Sequence, residues 1–264
     1  MNEVSFSDTP IKDIIDLFFR DGYVVLRKFA DPADLLKLKE QLSGLRDQIN
    51  SYHINDDDFT DRHMGSFHQH LFKQRHYDLL GDLFGTYEFS VHGSTASRHI
   101  DAIAQPDGRW MPPLAPHLDC FIHPFEFTVN FWTPLQPCGR DAPSLGVVSA
   151  DLDEVVAFTG YKGEPAARMP SGTWNYPNFD PSMFDMNTQS PATLEHFYSS
   201  FANRIFTPSY DLGDAVMLSN WTMHFTHATP AMTAPRRENV ELRFWANADI
   251  RDVRAMHAAD KKVD

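Results

Sequence analysis

An α+β fold whose core is an antiparallel β-sandwich or barrel is the architecture the sequence predicts. Helical apolar spacing dominates the chain up to Phe84, short alternating runs dominate from Phe121 onward, and turn-rich stretches such as Pro137 to Pro143 separate those runs. With 264 residues the chain can bury a real core, and a single domain over 1–264 is the expected arrangement.

Ile11 to Arg20 carries apolar residues at Ile11, Ile14, Ile15, Leu17, Phe18 and Phe19, near helical spacing, and Gly22 stands where such a helix stops. Tyr23-Val24-Val25-Leu26 is a β-branched and aromatic run that reads as a strand. Asp31 followed by Pro32 marks a helix start, with Asp31 as cap and Pro32 in the first helical position. Ser51 to His63 is acidic and reads as a solvated loop, because no glycine turn or terminal glutamate turns Asp56-Asp57-Asp58 into a calcium loop. Met64 to Phe84 is expected to be mostly helical, and Phe89 to His99 to be a strand carrying Arg98 and His99 toward the centre.

The later strands are sharper. In Phe125 to Leu135, Phe127, Val129 and Phe131 alternate with Thr128, Asn130 and Trp132, a half-buried strand that Pro134 ends. Leu145 to Ser149 is a further short strand, and Tyr210 to Leu218 turns at Gly213-Asp214 into another. In Asn239 to Ala246, Val240, Leu242 and Phe244 alternate with Glu241, Arg243 and Trp245. Gly160 to Asn203 breaks the rhythm. It is long, Pro-rich and aromatic, and is expected to be a lid or substrate-binding insertion.

Composition narrows the function. Twenty-three basic against 36 acidic residues give a net charge of −13, which repels polyphosphate backbones, so nucleic acid is not an expected partner. No run of about twenty apolar residues suits a bilayer, and the acidic N-terminus lacks the layout of a secretory signal. A cytoplasmic location is expected. Cys120 and Cys138 are too few for a disulfide scaffold and read as free thiols.

The chemistry gathers at Pro116-His117-Leu118-Asp119 and Trp221-Thr222-Met223-His224. On a strand, residues two apart project from one face, so His117 and Asp119 can share an ion. Two histidines and one carboxylate on one face of an octahedral ion leave three positions open, the facial triad of non-haem iron oxygenases. His76-Tyr77-Asp78 and His99-Ile100-Asp101 have the same His-x-Asp spacing. Context separates them: His76 lies in a helical stretch, His99 lacks a clear following strand, and His117 precedes a strong strand and later a strand, a histidine and an arginine. His227 competes with His224, and His123 is a further rival.

These residues give the chain a resemblance to the phytanoyl-CoA dioxygenase type of iron(II) and 2-oxoglutarate dependent oxygenases, in four patches in the same order. They are Asp21-Gly22-Tyr23-Val24-Val25-Leu26-Arg27 running into Ala30-Asp31-Pro32; His117-Leu118-Asp119 followed by Val129 to Leu135; Pro143 to Val148; and Gly213 to Leu218 followed by His224 and Arg236-Arg237. Ser149-Ala150-Asp151-Leu152 departs from the family's usual turn. The resemblance implies a double-stranded β-helix (jelly-roll, cupin-like) with N-terminal helices on one face, Fe(II) held by His117, Asp119 and His224, and 2-oxoglutarate and O2 as cosubstrates. It also implies that Arg237, or Arg236, pairs with the distal carboxylate of 2-oxoglutarate, that Thr226 adds a hydroxyl there, and that Trp132 walls the pocket. Its Gly-Asp frame favours His224 over His227.

The expected activity is hydroxylation of an unactivated C–H bond in a small or medium metabolite, with succinate and CO2 as coproducts. Arg98, Arg109 and Arg168 are possible substrate anchors. Because Asp119 supplies a carboxylate ligand, no position is freed for chloride, and hydroxylation is favoured over halogenation. Two other readings use the same residues: a zinc hydrolase, which has no need of Arg237, and a non-catalytic metal-binding β-domain.

Overall fold

The computed structural model describes residues 2–49, 53–63, 65–99, 103–104, 110–111, 116–119, 126–159, 167–168, 174–175, 191–234 and 236–260. Its elements run β1 (Glu3–Ser5), α1 (Ile11–Asp21), β2 (Tyr23–Arg27), α2 (Pro32–Ile49), β3 (His53–Asn55), α3 (Asp56–His63), α4 (Phe67–Leu71), α5 (Gln74–Phe84) and β4 (Ser90–His99). They continue with β5 (Ile103–Ala104), β6 (Trp110–Met111), β7 (Glu126–Pro134), β8 (Ser144–Val148), α6 (Leu152–Thr159), β9 (Ala167–Arg168), β10 (Trp174–Asn175) and α7 (Pro191–Phe201). The last are β11 (Ile205–Phe206), β12 (Ala215–Ser219), β13 (His224–His227), β14 (Arg236–Asp249) and α8 (Ile250–Asp260).

Local chemistry explains the first elements. Gly22 ends α1 in the left-handed region at φ 78°, where its N–H donates to the Phe18 carbonyl, and a Cβ there would meet the Ala150 carbonyl oxygen at 2.8 Å. Asp31 caps α2 as expected, its carboxylate accepting from Ala33 N–H at 2.8 Å. The acidic run expected as a loop is instead the first turn of α3, where Asp56, Asp57 and Asp58 face the positive end of the helix dipole. Asp56 is also used structurally, accepting from Phe67 N–H at 2.8 Å. Ser149 to Leu152, the departure from the family turn, is a reciprocal cap on α6: Asp151 accepts from Glu154 N–H and Glu154 from Asp151 N–H.

Seven strands form one sheet in the order β1-β2-β12-β7-β14-β4-β3, and three form a second in the order β11-β8-β13. All these pairs are antiparallel except β1 with β2. Strand alternation sorts the side chains. Tyr23, Val25, Trp132, Val216 and Leu218 of the large sheet meet Leu145 and Val147 of the small one, with Tyr210 and Cys138 among them. Phe127, Val129, Phe131, Val240, Leu242 and Phe244 turn the other way, into a core shared with Phe18 of α1, Leu35 of α2 and Leu79 of α5. The early helices therefore cover one face of the large sheet and leave its other face to the interior of the sandwich.

Most of Gly160 to Asn203 lies outside the described residues. Within it, Pro191–Phe201 is the helix α7, where the sequence reading expected a continuous loop. Phe197 and Phe201 of α7 are buried, so that part of the segment belongs to the core.

Candidate metal centre

His117 and His224, more than a hundred residues apart in the chain, are direct antiparallel partners. Each backbone N–H donates to the other's carbonyl, at 2.9 and 3.1 Å, so their side chains leave the backbone on one side with ring centroids 4.1 Å apart. His117 is a single bridge residue rather than part of the continuous strand expected, and Leu118 turns into the core while Asp119 turns back to the histidines. One ligand atom from each of His117, Asp119 and His224 lies within 4.8 Å of the others, the one such cluster among the described residues. Asp119 Oδ1 is 4.0 Å from His224 Nε2.

The protonation states suit a cation. His224 Nδ1 is 2.9 Å from the Thr222 carbonyl oxygen, which can only accept, so Nδ1 carries the proton and Nε2 presents its lone pair to the cluster. Burial alone would raise the Asp119 carboxyl. The Arg243 guanidinium, the strongest of the opposing influences, overrides burial and holds it below the ordinary value of 3.8, as a carboxylate. Arg243 donates from NH2 to Asp119 Oδ2 at 2.8 Å.

The closing strand separates the two candidate arginines. Arg236 is partly exposed and reaches Glu238 at 3.4 Å on the outer side, within a cluster that Arg46 and Lys39 complete. Arg237, one residue on, faces the opposite way. It is 2% exposed, its guanidinium lies 5.1 Å from the centre of the Trp132 ring, and NH1 donates to the Ser144 carbonyl of the small sheet. Trp132 is 1% and Thr226 0% exposed, and Trp132 Nε1 and Thr226 Oγ1 are buried polar atoms without a partner among the described residues. Thr226 stands two beyond His224 on β13, on the same face. Arg237, Trp132 and Thr226 thus lie buried in the sandwich interior.

Other expected features fall elsewhere. His227 is odd-numbered from His224, faces the other side of β13 opposite Ser144, and is not in the cluster. His76 is buried against Phe6, Phe29 and Phe72, with Nε2 at the Phe29 carbonyl. Cys138 is a free buried thiol that burial pushes up to about 12. His123, Cys120 and Arg109 lie outside the described residues, as do the side chains of Arg98, His99 and Arg168. The Gly213-Asp214 pair shapes the entry to β12: Gly213 has φ 103°, and Asp214 accepts from Arg27 NH1 at 2.5 Å and from the N–H groups of Lys28 and Asp211. The sequence reading gave no role to Arg243. The signal was available, since Arg243 follows Arg237 by an even number and so shares its face.

No family model matches the chain, and no curated protein matches it in sequence. Solved structures match it in fold. EvdO2 from Micromonospora carbonacea var. aurantiaca, complexed with 2-oxoglutarate, is 14% identical with a TM-score of 0.52, over 89% of this chain and 91% of that one. SnoK, a non-haem α-ketoglutarate dependent carbocyclase from nogalamycin biosynthesis, is 11% identical with a TM-score of 0.53, over 93% and 87%. The epimerase SnoN, in complex with Fe3+, α-ketoglutarate and nogalamycin RO, is 15% identical with a TM-score of 0.51, over 89% and 83%. The fold class they share with this chain is the jelly-roll core expected from the sequence, with helices against one face of its large sheet.

The donor set can be compared with the groups that the sequence resemblance implies. Two imidazoles, one with its tautomer fixed by a carbonyl, and one ionised carboxylate suit a divalent first-row metal and offer too few protein atoms to close an octahedral sphere. Beyond it, a buried guanidinium with the orphaned Trp132 and Thr226 polar atoms suits a small dicarboxylate. The residues present fit both groups.

Proposed function

We propose that this chain is a non-haem Fe(II)/2-oxoglutarate-dependent oxygenase of the phytanoyl-CoA dioxygenase type, hydroxylating an unactivated C–H bond of a small or medium metabolite. The observation that carries it is the convergence of His117, Asp119 and His224 inside a sandwich whose interior also buries Arg237 against Trp132. When bound, the metal with 2-oxoglutarate and O2 supplies the oxidant for the C–H bond, and the cosubstrate leaves as succinate and CO2.

The chain's own residues bind, orient and exclude. His117, Asp119 and His224 hold the ion through one nitrogen, one oxygen and one nitrogen. Arg237 receives the distal carboxylate of 2-oxoglutarate, for which a planar fork is better suited than a point charge, and Thr226 adds a hydroxyl. Trp132 fixes the guanidinium plane. Val147, Leu145, Val216 and Leu218 keep water from this end of the interior, which strengthens the pairing of Arg237 with its anion. The segment from 160 to 203, apart from the core-packed helix α7, is the proposed lid or substrate-binding insertion of a single domain.

SnoN and SnoK, by their names, epimerise and cyclise. Both outcomes are consistent with the same machinery, as are desaturation and ring rearrangement; the carboxylate ligand weighs against halogenation alone, and hydroxylation is the outcome we propose. The test is oxygen uptake and succinate release by iron-loaded protein without added substrate. Slow succinate formation that needs both O2 and 2-oxoglutarate, and disappears in Asp119→Ala, is expected. Activity on ester or amide substrates that persists without O2 would point to a zinc hydrolase instead.

A further inference from the structure

Arg243 sits where no ligand is needed and yet touches a ligand. Its NH2 is 2.8 Å from Asp119 Oδ2, while Asp119 Oδ1 is the oxygen nearest His224 Nε2, at 4.0 Å. The arginine is itself held from behind. Glu241 Oε2 lies 3.6 Å from the same NH2, and Asn239 Nδ2 donates to Glu241 Oε1 at 3.1 Å. Asn239, Glu241 and Arg243 are alternate residues of β14, so the three form a line along the inner face that ends on Asp119. Opposite them on β7 stand Pro134, Trp132 and Asn130, in register.

We infer that Arg243 is a positioning residue that reserves one oxygen of Asp119 for itself, so that the carboxylate binds the metal through the other oxygen alone. The inference rests on the triad reading above. An ionised carboxylate beside a divalent cation can chelate it through both oxygens. Two imidazoles and a chelating carboxylate leave only two positions of an octahedral sphere, too few for a chelating 2-oxo acid and O2 together. With Oδ2 occupied by a charge-assisted hydrogen bond, three positions stay open. Glu241 offsets the positive charge that Arg243 brings near the ion, which is why a cation is tolerated there.

The experiment uses the full chain loaded with Mn(II), with metal-bound water counted by pulsed EPR in oxygen-17 water and Mn(II) affinity measured alongside. About three bound waters are expected for the wild type and about two for Arg243→Met, with affinity no weaker, because Oδ2 joins the ion and a repelling cation leaves. Arg243→Gln, too short to reach Asp119, gives the same count and serves where Arg243→Met fails to fold. Three waters in wild type and variants overturn the inference, whether affinity falls or not, and leave the triad standing. No Mn(II) uptake by the wild type, or uptake that His117→Ala leaves unchanged, overturns the triad reading instead.

Discussion

Strands β7 and β14 lie side by side, and the two faces of this pair differ in kind. On the outer face Phe127, Val129, Phe131, Val240, Leu242 and Phe244 are almost wholly buried and meet the helices ring against ring, as where Phe84 of α5 packs edge-on against Phe127 at 5.4 Å. On the inner face Thr128, Asn130, Trp132 and Asn239 are nearly as buried, but Asn130 Oδ1, Trp132 Nε1 and Asn239 Oδ1 have no partner among the described residues. An apolar face filled by apolar neighbours is scaffold. A buried face of incompletely satisfied polar groups costs about 1–3 kcal/mol per group, and such a cost is tolerated where a ligand later supplies the partner.

That contrast can be broken from either side. The largest effect is expected inside: His117→Ala or Asp119→Ala should remove metal binding and bring turnover to background, with an unchanged circular dichroism spectrum. The next is expected outside, where Phe131→Ala should destabilise the fold by about 3–5 kcal/mol in urea denaturation while the folded protein keeps its metal affinity. Arg237→Ala should raise the 2-oxoglutarate requirement by roughly 10- to 150-fold, the loss of about 1.5–3 kcal/mol of charge-assisted hydrogen bonding, with iron still bound. The same requirement after that change would transfer the role to another cation, and Arg236→Ala, an exposed residue on the outer side, would then be the comparison to make.

The smallest effect is a pH slope set by the scaffold. Burial lowers His76 below its ordinary value of 6.5, against the bond its Nε2 makes to the Phe29 carbonyl, and burial lowers His68 and His227 as well. The folded chain therefore resists protonation that the unfolded chain accepts, so this stability is complete above about pH 6.5 and is lost as pH falls below it. Urea midpoints measured from pH 7.5 downward should fall, and His76→Gln should flatten the slope without abolishing it, since His68 and His227 remain.

How much of this was legible in the sequence follows from which interactions are local. Alternation in 127–132 and 240–245 is a period of two and names both faces of each strand, so the scaffold face was readable. The inner face read as the wet side of a half-buried strand, because alternation reports polarity and cannot say that a second sheet covers it. Asp56 to His63 read as a loop because three consecutive aspartates suppress helix propensity on average, whereas at a helix N-terminus they oppose the dipole favourably. The choice of His224 over His227 as the partner of His117 came only through a resemblance, since one antiparallel bridge across more than a hundred residues leaves no periodic trace. Counting back from Phe244 favoured Arg237 and kept Arg236 as the alternative, and strand parity puts the two on opposite faces, Arg236 with the Glu238 cluster outside.

The most direct measurement is an anaerobic titration of the Fe(II)-loaded protein with 2-oxoglutarate, followed by visible absorption. A weak charge-transfer band should grow to saturation at one equivalent bound, be absent in His224→Ala, and need far more cosubstrate in Arg237→Ala. Iron that binds equally well without His224, or a spectrum that 2-oxoglutarate never changes, would contradict the account.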